Sequence, residues 1–349
     1  MTIVGVAAAF PQNHYSQTAI TEALKQHWGA RLTRPAMLDR IHVHAGVRQR
    51  HLAFPFDQYA KFTGWGEANR AWLKVATELG EHALASALQR AGIEPTDLDA
   101  LYVVTVTGVA SPSLDARLIN RIGLRSDLKH TPIFGLGCVG GAVGLTRAAD
   151  YVRAFPEEVA AVLAVEICSL TIQADDLSDL NLLATGLFSD GAGAAIVAGP
   201  TRRAEGPTIV DTRSVFYPET EQLAGWEISD RGFRVILSRE LPEVTRRRLA
   251  AGIDEFLAHN HLTRAAIESW VIHPGGPKII EAFEQALDLN RGELAAAWHC
   301  LAEAGNISSA SVLHVLEEVM THRRPAPRTH GLIIAMGPGF CAELILVRW

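Results

Sequence analysis

Three residues in this chain stand where backbone geometry could make them reagents: Cys138 in "GLGCVGG", His273 in "WVIHPGG" and Asn306 in "EAGNISSA". Cys138 lies between a strand-like run, "HTPIF", and a helix-like run, "AVGLTRAADYVRAF". Backbone N–H groups at a helix start stabilise a thiolate, so the position predicts a nucleophile of lowered pKa. The flanking glycines allow a tight turn and close approach of a substrate to the backbone. Cysteine is also a common small core residue, and the loop alone favours that plainer role. A thiolate nucleophile needs a histidine to hold the ion pair and move protons. His273 ends the strand-like "ESWVI" ahead of "PGG", the strand-end position where α/β proteins build sites. Fourteen histidines are present, so its setting is what singles it out. Asn306 reads either as a helix N-cap or as an amide donor aimed at a developing oxyanion.

The cysteine loop also carries a competing pattern. Gly135-x-Gly137-x-x-Gly140 fits a dinucleotide-binding fingerprint, and Glu166 ends a later strand about where that motif wants its ribose-binding acid. That reading makes the chain a nicotinamide-binding protein through Gly135–Gly140. Against it, more than 130 residues with their own strands and helices precede the loop, whereas the fingerprint opens the first βα unit of its domain.

The elements that must position these residues alternate between strand and helix patterns, which predicts α/β layers. "MTIVGVAAAFP" reads as a first strand. "ALYVVTVTG", "TPIFGLG", "VAAVLAV" and "GAAIVAG" are short, apolar and bounded by glycine. "VATELGEHALASALQRAG" and "EVTRRRLAAGIDEFLAHN" place apolar residues at helical spacing. The polar stretch "AGPTRRAEGP", residues 198–207, is the expected junction between two halves, 1–200 and 201–349. Helix, acidic turn, buried strand, glycine and helix recur on both sides of it, a pattern that predicts an internal duplication.

Bulk properties narrow the classes further. The chain has 349 residues, 48% of them hydrophobic and 20% charged, with net charge −6. A large core can be buried. The balance argues against a nucleic-acid footprint and a polybasic membrane anchor. Arg246, Arg247 and Arg248 read as a solvated helix face. No apolar run is long enough to span a bilayer. Four scattered cysteines without a C-x-x-C pair favour a reducing cytoplasm over a disulfide framework or a zinc cage. His42-x-His44 and His259-x-His261 read as surface or loop histidines, so no metal site is expected.

Taken together, the three loops resemble those of the type III polyketide synthases, the chalcone-synthase-like enzymes of the thiolase superfamily. "LFSDGAGAAIV" and "MGPGF" resemble two further segments of that family, and the likeness runs over nearly the whole chain. It implies a thiolase-like αβαβα fold of two duplicated halves and a homodimer. It implies Cys138, His273 and Asn306 as the catalytic set and Phe188 as a gatekeeper between a CoA tunnel and a cavity. Thr171, Trp226, Leu237 and Ser308 would line the cavity, Trp226 replacing a glycine usual in plant members. Arg40 matches a basic residue of the CoA entrance, while His44 stands where the family has a lysine. "VTVTGVASPSLDAR" and "FGLGCVGGA" are most similar to bacterial members acting on fatty acyl-CoA. The expectation is therefore condensation of an acyl-CoA starter with malonyl-CoA, then cyclisation to an alkylpyrone or alkylresorcinol. This chemistry needs no metal, nicotinamide or carrier protein.

Neighbouring families offer alternatives. A fatty-acid-initiating ketoacyl synthase also uses Cys, His and Asn, but its histidine loop reads "HQAN". A degradative thiolase would want a second cysteine, for which Cys341 is available. A hydroxymethylglutaryl-CoA synthase would want a glutamate, for which Glu81 is the nearest.

Overall fold

The computed structural model describes every residue except 203. The strands are β1 (Thr2–Ala9), β2 (Asn13–Ser16), β3 (Gln49–Leu52), β4 (Ala100–Thr105), β5 (Lys129–Phe134), β6 (Val159–Ile167) and β7 (Asp190–Ala198). They continue with β8 (Thr208–Phe216), β9 (Ala224–Ser229), β10 (Gly232–Leu237), β11 (Ile267–Ile272), β12 (His330–Gly337) and β13 (Cys341–Arg348). The helices begin with α1 (Gln17–Trp28), α2 (Pro35–His44), α3 (Phe56–Tyr59), α4 (Trp65–Ala91), α5 (Leu114–Ile122) and α6 (Gly140–Ala154). They end with α7 (Asp179–Leu187), α8 (Leu241–His259), α9 (Pro277–Leu287), α10 (Ala295–Ala304) and α11 (Ser311–His322).

Nine strands follow one another in the order β11-β12-β13-β8-β1-β7-β6-β4-β5. β1 and β8 meet at the single pair Thr2 and Thr208, so the row consists of two strand sets joined at a narrow seam. The polar stretch at 198–207 links β7 to β8 across that seam; its Arg203 lies outside the described residues. β6 and β7 pair antiparallel from Val159 opposite Ala198 to Ile167 opposite Asp190, and every residue of both is buried. Burial on both faces is why their sequences read as continuous apolar runs and not as alternation.

Three apolar cores separate five layers. Leu84, Leu88 and Leu118 of α4 and α5 pack on Leu163 and Ile196. Leu145 and Val152 of α6, with Leu313 and Leu316 of α11, fill the space between Val162 of one strand set and Ile333 of the other. Phe256, Phe283 and Leu301 of α8, α9 and α10 cover Ile334 and Leu346. This is the αβαβα order that the resemblance implies. A helix between two sheets must be apolar and slim all round. α6 meets this with Gly140, Gly141, Ala142 and Gly144. A Cβ on Gly144 would stand 2.5 Å from the Val162 side chain, so a larger residue there would drive the layers apart.

Local expectations fare unevenly. α4 begins ten residues before its expected start, since Trp72 already packs inward, and it stops at Gly92 in the left-handed conformation. Arg246 and Arg247 reach Glu243 on the solvated face of α8. His259 and His261 are exposed, as is His44. His42 is not: it is 1% exposed, its ring nitrogens 2.8 Å from Thr21 Oγ1 and 3.2 Å from Thr185 Oγ1. It faces inward because α2 packs on α1 and α7. No described helix is long and apolar enough to cross a membrane.

Candidate active site

Three loops from both strand sets converge on one cavity. Cys138 lies on the short turn Gly137–Val139 between β5 and α6. His273 directly follows β11, and its N–H donates to the Ile334 carbonyl of β12 at 2.8 Å. Asn306 follows α10; its N–H donates to the Leu187 carbonyl at 2.9 Å and its own carbonyl accepts from Ser189 N–H at 2.9 Å. Cys138, His273 and Asn306 all line a cavity of about 580 Å³, together with Phe188, Trp226, Leu237 and Ser308.

The loop glycines explain how these segments come so close. A Cβ on Gly141 would stand 2.1 Å from the Ser309 carbonyl oxygen. On Gly137, held at φ +52°, it would stand 2.6 Å from Pro338. The cysteine loop is thus pressed against the asparagine loop and the β12–β13 turn. Glu166 is fully buried and accepts from Val106 N–H at 3.1 Å, Thr107 Oγ1 at 2.8 Å and Ser309 Oγ. The dinucleotide reading therefore loses its residues, because Gly137 and Gly140 face protein and the acid is sealed inside, although Gly135 is exposed. Burial pushes Glu166 up to about 7.

Cys138 Sγ lies 3.7 Å from Ser308 Oγ. Ser308 itself is held at φ +48°, a left-handed conformation costly for a residue with a Cβ. Burial pushes the Cys138 thiol up to about 11; Glu166 adds to this, while hydrogen bonds from Ser308 and Asn306 oppose it. His273 is 4% exposed, and neither ring nitrogen has a hydrogen-bond partner among the described residues. Burial pushes it down to about 3. The expectation of a thiolate lowered by the helix start is thus reversed in the folded chain. Desolvation outweighs the helix N-terminus, and both groups favour their neutral forms.

Both readings of Asn306 meet in one side chain. Its Oδ1 accepts from Ser308 N–H at 2.8 Å and from Ser311 Oγ at 3.5 Å, which is capping. Its Nδ2 donates to the Gly275 carbonyl at 3.2 Å. An amide carries two N–H donors, and the second reaches the Cys138 thiol, where an incoming carbonyl oxygen would meet it.

The other expected residues divide. Thr171 does not line the main cavity; it donates to the Cys168 carbonyl at 2.8 Å and borders an adjoining void of about 10 Å³. Phe188, Trp226, Cys168 and Val235 border both spaces. His44 is on the main cavity wall, whereas Arg40 is exposed and outside it. Arg239 and Lys278 bring cations to the wall that the sequence reading missed. Lys278 had a local signal, directly following the histidine loop in "HPGGPK". Cys341 turns toward the Pro338 carbonyl at 3.3 Å and is not part of the wall. Glu81 pairs with Arg121 on the outer face of α4. Neither residue serves the thiolase or hydroxymethylglutaryl-CoA synthase alternatives.

Comparison with known proteins bears on what this cavity does. Residues 11–208 match the family described as FAE1/type III polyketide synthase-like protein, and residues 208–349 match the chalcone and stilbene synthases, C-terminal domain. A 1,3,6,8-tetrahydroxynaphthalene synthase of Streptomyces peucetius subsp. caesius is 48% identical, the match covering 100% of this chain and 93% of that protein. A putative chalcone synthase of Bacillus subtilis (strain 168) is 35% identical over 87% of this chain and 86% of its own length. Among solved structures, the 1,3,6,8-tetrahydroxynaphthalene synthase of Streptomyces coelicolor A3(2), a bacterial type III polyketide synthase, superposes with a TM-score of 0.95. That match has 29% identity and covers 100% of this chain and 99% of that one.

Proposed function

The chain belongs to the type III polyketide synthases, which are acyltransferases, and on that premise we propose that it condenses malonyl-CoA units on Cys138 into a naphthalene-type polyphenol. The observation that carries the reading is the convergence of Cys138, an unpartnered His273 and an Asn306 amide that reaches the Cys138 thiol on one cavity. When a thioester carbonyl meets Cys138, the thiol passes its proton to His273 as sulfur attacks, and CoA leaves. A second malonyl-CoA then accepts hydrogen bonds from His273 and Asn306 at its thioester oxygen. These stabilise the enolate that forms as CO2 departs. Phe188 offers an apolar wall that disfavours the carboxylate before it leaves. The carbanion attacks the Cys138 thioester carbonyl and expels the Cys138 sulfur, which leaves the lengthened chain on CoA; that thioester reacylates Cys138, CoA leaves, and the cycle repeats.

Each decarboxylated malonyl unit adds two carbons, so the ten ring carbons of a naphthalene correspond to five units. The 48% identity to a tetrahydroxynaphthalene synthase supports this product over the fatty acyl starter and the alkylpyrone or alkylresorcinol expected from the sequence. Trp226, bulky on the wall, agrees with a short product. His44, Arg239 and Lys278 would meet the CoA phosphates, with the exposed Arg40 adding longer-range attraction. A cytoplasmic location fits four free cysteines. The exposed edge of β5, which ends in Phe134 at 48% exposure, supports pairing with a second copy as a homodimer.

The test is incubation with malonyl-CoA alone and with acyl-CoAs of graded length, followed by mass analysis. The expected result is a pentaketide from malonyl-CoA alone, lost on Cys138→Ala. A product that requires a fatty acyl-CoA would reject the naphthalene reading. Product from the Cys138→Ala variant would reject the nucleophile.

A further inference from the structure

Behind the cavity wall, the end of α7 leaves four carbonyls to be satisfied, those of residues 185 to 188. A helix C-terminus has no internal partners for such groups and carries partial negative charge. Arg50 of β3, 1% exposed, donates to the Thr185 carbonyl at 2.6 Å and the Phe188 carbonyl at 2.5 Å. Gln17 Nε2 donates to the Gly186 carbonyl at 2.7 Å, while its Oε1 accepts from Arg50 Nε at 3.2 Å. The Leu187 carbonyl takes the N–H of Asn306. One cap therefore holds both Phe188 and Asn306. Its hub is a guanidinium that makes no ion pair within 4 Å among the described residues and is costly to bury. Gly305 completes the fit: a Cβ there would stand 3.1 Å from Arg50 Cδ and 3.0 Å from the Leu187 carbonyl oxygen.

We propose that Arg50 is a positioning residue whose forked contact with the end of α7 sets Phe188 and the Asn306 amide in register for malonyl decarboxylation. It acts through the α7 cap and touches no reacting atom. Planar bidentate geometry is what the two carbonyls require; a lysine would carry the same charge but not the fork. The inference rests on the roles proposed above for Asn306 and Phe188.

The experiment compares wild type, R50K, N306A and the double variant R50K/N306A. It reads acetyl-CoA release from malonyl-CoA, the iodoacetamide alkylation rate of Cys138, and thermal melting. Misplacing reacting groups by a fraction of an ångström is expected to lower the R50K decarboxylation kcat about 10- to 100-fold with KM little changed. Cys138 alkylation should stay within about threefold of wild type, because the nucleophile loop is not part of the cap. In the N306A background the lysine should cost less than about twofold more, since residues acting as one unit are not additive. An R50K protein with wild-type kcat overturns the proposal. So does a loss that persists in full in the N306A background, or one matched by an equal loss of alkylation. If R50K does not accumulate folded, Gln17→Met keeps the guanidinium but frees the Gly186 carbonyl, and should show the same split at about 3- to 10-fold. Unchanged kcat in that variant also overturns it. If N306A alone keeps wild-type decarboxylation, the assignment of Asn306 fails and takes this inference with it. Wild-type kcat in R50K alongside a crippled N306A sinks the inference alone.

Discussion

His42 and His273 are both buried, and burial is the main cause that lowers each, to about 4 and about 3. Their titration is thus nearly the same, yet their surroundings differ. His42 has a threonine oxygen at each ring nitrogen, in a closed knot between α1, α2 and α7. His273 has no partner at either nitrogen and faces the cavity. A depressed pKa therefore does not separate a structural histidine from a reactive one; the accounting of partners does. A buried polar group left unpaired costs about 1–3 kcal/mol. That cost is tolerable where a substrate oxygen or a neighbouring thiol completes the pairing during reaction.

Replacing each histidine by glutamine breaks this comparison most directly if it is wrong. His273→Gln should lower malonyl-CoA decarboxylation about 10²- to 10³-fold, the usual loss for a donor to a developing oxyanion. Its melting temperature should not fall, because no hydrogen bond of the folded chain is removed. A variant that melts early but decarboxylates normally would make His273 a structural histidine of the same kind as His42.

The cavity side of the contrast is sharpened by the nucleophile. With Cys138 raised to about 11 and His273 lowered to about 3, the resting thiolate fraction is small across neutral pH. The iodoacetamide alkylation rate of Cys138 should then climb about tenfold per pH unit from 7 to 9, without a plateau. A plateau beginning near pH 6 would mean that a thiolate–imidazolium pair is already formed before any thioester binds, as the helix-start argument alone would have it.

The two regions are unequally legible in the sequence. β6 and β7 are visible because strands buried on both faces leave unbroken apolar runs. Cys138, His273 and Asn306 are visible because each sits beside glycines that close loop contact requires. The sign of the Cys138 shift is not, since it depends on burial under the Ser308–Ser309 segment, far away in sequence. Thr171 is expected in the cavity lining, but the Phe188 and Trp226 side chains stand where the two spaces meet. The expectation of a surface His42 fails because an isolated histidine on a short helix carries no sign of which neighbours will cover it. Nothing local marks Arg50 either. Arg48, two residues earlier, reaches Glu303 from an exposed position, while Arg50 takes a buried place next to that of Leu52 on β3.

The smallest expected effect tests the closed side of the comparison. His42→Gln forfeits at least one of the two threonine contacts, so at pH 7.5 it should unfold about 1–2 kcal/mol more easily than wild type. Decarboxylation should be close to normal, since the ring is outside the cavity wall. Acidification should then narrow the gap. His42 binds a proton near 6.5 when unfolded but only near 4 when folded. Its stabilising neutral state is complete above about pH 6.5 and is lost progressively as pH falls toward 4. Glutamine does not titrate, so the variant lacks this loss. Glu166 and Asp190, pushed up by burial to about 7 and about 6, run the other way, since folded forms that keep their protons gain stability on acidification. They do so in both proteins and cancel in the difference. Denaturant melts from pH 7.5 to 5 should therefore converge for wild type and variant. Parallel curves would mean that His42 titrates alike in the folded and unfolded chain, and that burial there does not act on it as it does on His273.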